Sequence, residues 1–287
     1  MKRGSCVAAA AAFVVATGLP VLLLAPAPAF AAEEVPYVQT PQPVVDAMLK
    51  LAGVNGRDFL IDLGSGDGRI PITAAKRFGT RGFGVDYVGS LVQLANENAK
   101  KAGVADRVRF EERDIFKTDV SPATVVAFYL LPDFNLELRP KLLEELRPGT
   151  RLVSHDGDMG DWPPDARLVV DAPGKTVGVE QKSTIYLWLV PAMVMGGWKT
   201  RVPLAGGARE VTLDLAQSFQ TLSGAATVRG KSIPLERAYV RGQFVFFRFP
   251  YDGGAVRFEG RATKDRIVGK VTTPDGTTHP WRALRGG

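Results

Sequence analysis

The sequence of 287 residues has one cysteine and two histidines. Cys6 lies within the first 31 residues, so the rest of the chain has no thiol for a disulfide, a thiolate metal site or a cysteine nucleophile. His155 and His279 are the only imidazoles, the side chain whose ordinary pKa lies nearest to neutral pH. We consider His155 a candidate base, with a structural loop residue as the alternative, and expect His279 at the surface.

The first 31 residues have the pattern of an export signal. Lys2 and Arg3 precede an apolar, alanine-rich run over residues 7–25, and A-F-A at 29–31 precedes Ala32. This order is typical of a secretory signal peptide, so we exclude residues 1–31 from the fold and expect a periplasmic protein. Because the apolar run is long, an uncleaved membrane anchor is the alternative.

A glycine-rich loop follows the first predicted strand. The apolar stretch F-L-I-D-L at 59–63 predicts a buried parallel strand, and G-S-G-D-G at 64–68 predicts a turn whose backbone approaches a ligand closely. Residues 70–78 have helical spacing, which directs helix N-terminal amides at that ligand. A second strand ends at Asp86, placed to accept hydrogen bonds from ribose hydroxyls. The stretch therefore predicts a nucleoside-binding βαβ unit.

The order of elements predicts two domains. Strands alternate with helices through residue 155, and two further strands, at 166–170 and 183–190, follow without a helix between them. This pattern predicts an α/β doubly wound, seven-stranded sheet with a terminal hairpin. From residue 196 helical periodicity disappears, and alternating stretches between turn signals predict a small all-β domain, a barrel or a sandwich.

Charge is distributed unevenly between the two parts. Residues 196–287 contain 15 Lys/Arg and 7 Asp/Glu, a net charge of +8, whereas residues 32–195 have a net charge of −4. This asymmetry indicates that the C-terminal domain has an anionic partner, for which a membrane surface is one candidate. The alternative is a basic surface that contacts only solvent.

The glycine loop carries a family resemblance. D-L-G-S-G-D-G at 62–68 resembles motif I of the class I S-adenosylmethionine (SAM) methyltransferases rather than the G-x-G-x-x-G of dinucleotide sites, and D-Y at 86–87 resembles their acidic second-strand end. The resemblance covers residues 35–192, between the signal at 1–31 and the β domain at 196–287, and implies a Rossmann-like methyltransferase domain. It implies that SAM is held by Tyr37, Asp62, Gly64, Ser65, Gly66, Asp86, Tyr87, Asp114 and Ile115.

Individual roles follow from the same resemblance. Asp62 would orient the loop, Asp86 would hold the ribose hydroxyls and Tyr87 would border the adenine. Asp114, with the amide of Ile115, would bind the adenine edge; an ordinary turn carboxylate is the alternative for Asp114.

A narrower resemblance concerns the acceptor. Y-V-Q-T-P at 37–41, the glycine loop and the leucine-rich stretch after the fourth strand are similar to the protein-lysine N-methyltransferases of the ATP synthase c-subunit and adenine nucleotide translocase type, with their bacterial relatives. In that comparison, residues 37–41 fold over SAM. An N-P-P-Y-like motif is absent from Y-L-L-P-D at 129–133, so we expect no nucleic acid partner.

These observations predict an exported SAM-dependent methyltransferase that acts on a protein lysine amine or a small molecule. Tyr129 and His155 are the candidate catalytic residues, no metal site is expected, and the basic β domain would position the substrate. A SAM-binding or scaffold protein of the cell envelope without turnover is the alternative.

Overall fold

A computed structural model describes residues 37–178 and 180–286, so the predicted signal at 1–31 lies outside the described residues. The helices are α1 Gln42–Leu51, α2 Arg69–Phe78, α3 Gly89–Lys101 and α4 Pro132–Glu145. The strands of the first domain are β1 Phe59–Leu63, β2 Arg81–Asp86, β3 Val108–Glu112, β4 Val125–Phe128, β5 Arg151–His155, β6 Ala166–Asp171 and β7 Lys182–Leu189. Those of the second are β8 Gly196–Leu204, β9 Gly207–Ser218, β10 Thr221–Val228, β11 Lys231–Pro234, β12 Glu236–Arg241, β13 Phe244–Tyr251, β14 Gly254–Ala262, β15 Arg266–Thr272 and β16 Thr278–Arg285.

The first domain is a seven-stranded sheet in the order β3-β2-β1-β4-β5-β7-β6. Strands β1 to β5 pair in parallel, and β7 runs antiparallel between β5 and β6. The central strands β1 and β4 are almost wholly buried because helices cover both faces. The predicted doubly wound sheet with a terminal hairpin is therefore confirmed. Its strand order reverses between β1 and β4, which places the ligand crevice at their carboxyl ends.

Helix α4 begins earlier than its hydrophobic spacing indicates. The sequence pattern predicts a helix from residue 136, whereas the helix begins at Pro132, a position that favours proline in the first turn. Leu131 is consequently the N-cap, and the predicted acceptor segment at 129–133 becomes the entry into a helix. No helix within 37–178 and 180–286 is long and apolar enough to cross a bilayer.

The second domain is a closed barrel, which settles the choice between barrel and sandwich. Eight strands form the ring β8-β9-β10-β12-β13-β14-β15-β16, while β11 pairs with β10 beside it. Aromatic rings fill the interior: Phe258 stacks on Phe247 at 4.7 Å between ring centroids and meets Trp281 edge-on at 4.9 Å. Closure pairs the backbone of every barrel strand, and the aromatic side chains pack among the buried aliphatic side chains of the interior.

The barrel joins the sheet domain at the amino ends of its strands. Phe219, in the β9–β10 turn, stacks on Trp162 at 5.5 Å and lies under the guanidinium of Arg139 at 5.4 Å. Nearby, the amide of Ala192, just beyond β7, donates to the carbonyl of Gly242 at 2.8 Å. Because β7 is antiparallel to β5, Ala192 lies at the amino end of β5. The barrel is therefore attached at the sheet edge opposite the ligand crevice.

Candidate functional site

The glycine loop is held by β2 and packed against neighbouring side chains. The amides of Gly64 and Ser65 both donate to the carbonyl of Val85, each at 2.9 Å. Gly64 has φ +78°, and a Cβ there would lie 2.8 Å from Leu130 Cδ2, so a larger residue would strain the backbone and displace the Leu130 side chain. The loop thus forms a close-fitting cradle at the carboxyl end of β1.

Asp62 lies beneath this cradle as an unpaired buried carboxylate. It is 1% exposed, and neither carboxylate oxygen has a hydrogen-bond partner among the described residues. Burial, with the nearby charges of Asp86 and Asp67, raises the pKa of Asp62 well above its usual value. Buried polar groups in proteins are normally paired. The carboxylate therefore fits a cationic group of a ligand, and the methionine ammonium of SAM has that charge.

Asp86 fixes the loop and retains acceptor capacity. One carboxylate oxygen accepts from the amide of Gly66 at 2.9 Å, and the other accepts from the amide of Val88 at 3.0 Å, at the start of α3. Each ionised oxygen has a second lone pair, which suits the two hydroxyls of a ribose. Tyr87, 57% exposed, adjoins it. These positions agree with the predicted ribose and adenine contacts, which stay predictions.

Residues 37–41, the N-terminal strap, lie over the glycine loop. The Tyr37 hydroxyl accepts from the amide of Asp67 at 3.2 Å, and a Cβ at Gly66 would overlap the Tyr37 ring. Arg69 forms an ion pair with Asp67 at 2.6 Å and donates to the carbonyl of Thr40 at 2.8 Å. The strap is thereby fastened to the loop that it covers, and partial burial raises the pKa of Tyr37.

Asp114 caps a short 3₁₀ turn that begins at Ile115. Its carboxylate accepts from the amide of Phe116 at 2.8 Å and lies 3.4 Å from the ammonium of Lys117. The side chain is 42% exposed, which leaves acceptor capacity for an adenine amine. Asp114 can therefore cap the turn and still accept a hydrogen bond from adenine.

His155 is enclosed by hydrogen bonds on both sides. Nδ1 lies 3.1 Å from the Thr40 hydroxyl and Nε2 lies 2.7 Å from the Ser183 hydroxyl, and the ring is fully buried. Burial lowers the pKa of His155 to about 4; the charge of Asp156 opposes this shift, and that of Lys175 adds to it. The imidazole is therefore neutral at physiological pH. Its role as a base stays a prediction, and the geometry favours positioning.

Tyr129 directly follows β4 and packs on His155. Its ring centroid is 3.9 Å from that of His155, and the two planes are tilted by 35°. Burial, with the charge of Asp156, raises the pKa of Tyr129, so its hydroxyl is protonated at neutral pH. Tyr129 is thus a neutral hydrogen-bonding group at the carboxyl end of β4, and the buried His155 ring holds it in place.

Sequence reasoning missed the partners of His155. Thr40 lies just before α1 and its residue type suits a helix cap, but the helix has no side-chain cap, and the Thr40 hydroxyl meets His155 instead. Thr40 and His155 are 115 positions apart, and no local pattern connects them.

The pKa of His155 predicts how stability depends on pH. The folded-state pKa of about 4 lies below the unfolded value of about 6.5, so the free energy of unfolding falls as pH decreases from 6.5 to 4. The loss amounts to about 3 kcal/mol and levels off below that range. Denaturant titrations of His155→Gln should lack this loss, whereas His279→Gln should retain it. Equal pH slopes for both variants would contradict the assignment.

No group of three His, Cys, Asp or Glu side chains in residues 37–178 and 180–286 is arranged to hold a metal ion. The donors in the crevice are instead backbone amides, carboxylates and a phenol. This set suits a nucleoside that carries an ammonium, and the unpaired Asp62 together with the glycine cradle fits SAM.

Comparison with known proteins agrees with this geometry. The family described as "ANTKMT methyltransferase domain" matches residues 62–166. A protein-lysine N-methyltransferase of Saccharolobus islandicus is 41% identical over 157 residues, which cover 54% of this chain and 94% of that protein. The mouse adenine nucleotide translocase lysine N-methyltransferase is 36% identical over 46% of this chain and 58% of its own length.

One solved structure is similar in both sequence and fold. A crystal structure of an RNA methyltransferase from Salinibacter ruber with S-adenosyl-L-homocysteine has a TM-score of 0.50 and 52% identity. It covers 55% of this chain and 96% of that one. The chain covers just over half the length of the mouse relative. It covers 94% of the Saccharolobus islandicus protein and 96% of the Salinibacter ruber protein.

Proposed function

The chain belongs to the family of SAM-dependent protein-lysine N-methyltransferases, and on that premise we propose that the whole protein is an exported enzyme that methylates a lysine amine of an envelope protein. The cofactor is SAM. The lysine acceptor is supported by the 41% identical protein-lysine N-methyltransferase, and the cofactor site by the unpaired, buried Asp62 beneath the glycine cradle, whose carboxylate can pair with the ammonium of SAM.

The residues that would hold SAM are those at the carboxyl ends of β1, β2 and β3. Asp62 would pair with the methionine ammonium, Asp86 would accept from the ribose hydroxyls and Asp114 would accept from the adenine amine. When bound, SAM supplies an activated methyl group on a sulfonium, so the protein does not need to activate the donor. Its residues instead position the donor and the acceptor in line.

Tyr129 would orient the acceptor. A lysine ammonium has no lone pair, so it must lose a proton to solvent before transfer. Because the pKa of Tyr129 is raised, its hydroxyl stays neutral and accepts from an amine N–H through an oxygen lone pair, which aims the nitrogen lone pair at the methyl group. The adjoining Leu131 is 49% exposed and gives the rim an apolar surface that favours the neutral amine.

Export is proposed from the signal pattern in residues 1–31. N-terminal sequencing of protein recovered from a periplasmic fraction should begin at Ala32. An intact Met1 on protein that sediments with membranes would instead indicate the uncleaved anchor, and recovery in the cytosol would overturn export.

The two competing functions are RNA methylation and SAM binding without turnover. The Salinibacter ruber relative is described as an RNA methyltransferase, so RNA is the second candidate acceptor. Y-L-L-P-D at 129–133 lacks the acceptor motif of nucleobase amino-methyltransferases, which favours lysine. A SAM-binding scaffold without turnover is the third reading, since an exported enzyme needs SAM outside the cytoplasm where it is made.

Methyl transfer from labelled SAM tests the proposal. Incubation with a cell-envelope extract should place label on protein lysines, and Asp86→Ala should weaken SAM affinity about 100-fold, because two charged hydrogen bonds to the ribose are lost. Asp106→Ala, at an exposed residue of the α3–β3 loop, is the matched control and should bind SAM normally. Label in RNA, or tight SAM binding without label in any fraction, would overturn lysine methylation.

A further inference from the structure

Asp156 is a carboxylate beside Tyr129 that the proposed reaction has not yet used. It directly follows β5, which pairs in parallel with β4, so Asp156 and Tyr129 lie at the same edge of the sheet. Asp156 Oδ2 is 3.3 Å from Nε2 of His155, the ring on which Tyr129 packs. The charge of Asp156 contributes to the raised pKa of Tyr129, so the carboxylate and the phenol are near neighbours.

The segment that carries Asp156 also adjoins the glycine cradle. A Cβ at Gly157 would lie 3.3 Å from the carbonyl oxygen of Leu130, and a Cβ at Gly64 would lie 2.8 Å from the Leu130 side chain. Leu130 therefore connects the cradle to the segment after β5. Asp156 is thus close to both the cofactor cradle and the residue proposed to orient the acceptor.

The backbone of Asp156 is strained and fixed by β7. Its φ is +57°, a left-handed conformation that is costly for a residue with a Cβ. The Asp156 amide donates to the carbonyl of Thr184 at 2.7 Å, and Oδ1 accepts from the Thr184 amide at 2.8 Å. These contacts hold Oδ1 on the sheet and leave Oδ2 for other partners. Strained residues of this kind cluster at active sites and ligand clamps.

A lysine ammonium of the protein itself lies on Oδ2. Lys175, in the turn between β6 and β7, places Nζ 2.6 Å from Asp156 Oδ2 and donates to the carbonyl of Lys182 at 2.7 Å. The Lys175 side chain is only 11% exposed. A carboxylate and a carbonyl near Tyr129 thus accommodate a lysine ε-ammonium, the same group that the proposed acceptor presents.

We propose that Asp156 binds the ε-ammonium of the acceptor lysine, and that Lys175 occupies this position until the acceptor displaces it. The ion pair between Lys175 and Asp156 is called the lysine latch. The inference rests on the proposed lysine methylation and adds the residue that recognises the charge of the acceptor. A carboxylate selects an ammonium over a neutral side chain because charge-assisted hydrogen bonds are about twice as strong as neutral ones.

Docking at Asp156 precedes the loss of the proton that transfer requires. The ammonium binds to the carboxylate in its charged form and then releases one proton to solvent. The neutral amine is held less strongly by the carboxylate, because the charge that strengthened the hydrogen bond is gone. Its nitrogen can then turn to the hydroxyl of Tyr129.

Release of Lys175 disturbs few buried contacts. The residues beside it in the turn are exposed, namely Pro173, Gly174, Thr176 and Val177. The ammonium can therefore leave Asp156 for solvent without unpacking the core. While the latch is closed the acceptor cannot bind, so the apparent acceptor affinity is reduced by the fraction of molecules in which the latch is open.

A purely structural ion pair makes a different prediction. Breaking a partly buried pair from either side would destabilise the fold, so both single variants would lose activity. The latch instead predicts changes of opposite sign, because Asp156 binds the acceptor whereas Lys175 competes with it. The sign of the two effects therefore distinguishes the two roles.

The test uses the full-length protein and a capped hexalysine peptide as the acceptor. Methyl transfer from labelled SAM gives KM and kcat, and fluorescence anisotropy with S-adenosyl-L-homocysteine present gives the Kd of the peptide. Asp156→Asn should raise both KM and Kd at least about tenfold, with a smaller change in kcat. Lys175→Gln should lower both severalfold, because the competing ammonium is removed.

Matched controls come from the same hairpin. The side chains of Asp171 and Lys182 form an exposed ion pair at 2.8 Å, so Asp171→Asn and Lys182→Gln remove the same charges close by. Both control variants should keep the wild-type KM and Kd. A peptide of Nε-acetyl-lysine, which has no ammonium, should not compete with hexalysine. Thermal midpoints and SAM affinity establish that each variant is folded.

Four results would overturn the inference. Weaker peptide binding in both Asp156→Asn and Lys175→Gln would indicate a structural ion pair, and an equal loss in Asp171→Asn would indicate general charge attraction. Failure of Lys175→Gln to bind hexalysine would show that the vacated carboxylate is not a docking site. Methyl label on Lys175 itself would make it an acceptor rather than a latch.

The two readouts separate this inference from the proposed function. If the wild-type protein binds SAM and hexalysine but transfers no methyl group, lysine methylation fails, and the Kd values still decide whether Asp156 holds the ammonium. If transfer proceeds and the two variants change KM in the same direction, the latch fails and lysine methylation stands.

Discussion

Asp62→Asn is expected to stabilise the SAM-free protein while it weakens SAM binding. The carboxylate is buried and unpaired, so replacing it with a neutral amide of equal size removes a charge that the folded state solvates poorly. We expect the free energy of unfolding at pH 8 to rise by about 1–2 kcal/mol. SAM affinity should fall about 10- to 100-fold, because a charged hydrogen bond to the ammonium is lost.

The stabilisation should depend on pH in a definite direction. The pKa of Asp62 is raised in the folded state, so the wild-type protein loses stability as pH rises from the usual carboxyl pKa through the raised one. Asp62→Asn lacks that loss, and its advantage should therefore disappear near pH 4.

A paired carboxylate provides the contrast. Asp58 is also buried, but it forms an ion pair with Arg151 and accepts from the Thr124 hydroxyl, so Asp58→Asn should destabilise the fold and leave SAM affinity unchanged. Denaturant titration and calorimetric SAM binding measure both effects. A destabilised Asp62→Asn with normal SAM affinity would show that the carboxylate has a structural role alone.

Gly66→Ala should remove nearly all SAM binding. Gly66 has φ +52°, and a Cβ there would overlap the Tyr37 ring, so this side chain of the strap must move away from the loop. Backbone strain alone costs about 1–2 kcal/mol. Displacement of the strap also breaks the contact between the Tyr37 hydroxyl and the Asp67 amide, and we expect affinity to fall by more than about 100-fold.

Gly103→Ala separates strain from contact. Gly103 has φ +71°, and a Cβ there meets nothing within 4 Å. It should therefore lose about 1–2 kcal/mol of stability and keep normal SAM affinity. Tryptophan fluorescence during urea unfolding, with SAM titration of both variants, measures the difference. Equal SAM affinity in the two proteins would show that strap contact is unimportant for binding.

Sequence was sufficient where contacts are local or dictated by parallel strands. The glycine loop, Asp62 and Asp86 come together because β1 and β2 are adjacent and both end at the same sheet edge, a rule that needs no knowledge of side-chain packing. The alternation of apolar residues also predicted the all-β second domain, since a period of two distinguishes strands from helices.

Sequence did not predict the side-chain contacts between residues far apart in the chain, because several residues could have filled each role. The His155 ring takes the Thr40 and Ser183 hydroxyls, and nothing in their spacing distinguishes them from other hydroxyl residues. The barrel closes where β8 pairs with β16, from opposite ends of the domain's sequence, and its docking on the sheet domain depends on the turn residue Phe219 packing on Trp162. The expectation that the β domain positions the substrate stays a prediction, although the domain is attached away from the crevice.

That attachment has a consequence for how the protein would work on a surface. With the barrel at the amino ends of the strands and the cofactor crevice at the carboxyl ends, a contact made by the far side of the barrel leaves the crevice unobstructed. A protein held at a surface through its barrel would then meet acceptor proteins of the same surface at a high effective concentration. Selectivity among acceptors would accordingly depend on where the barrel is bound as well as on the shape of the cofactor crevice.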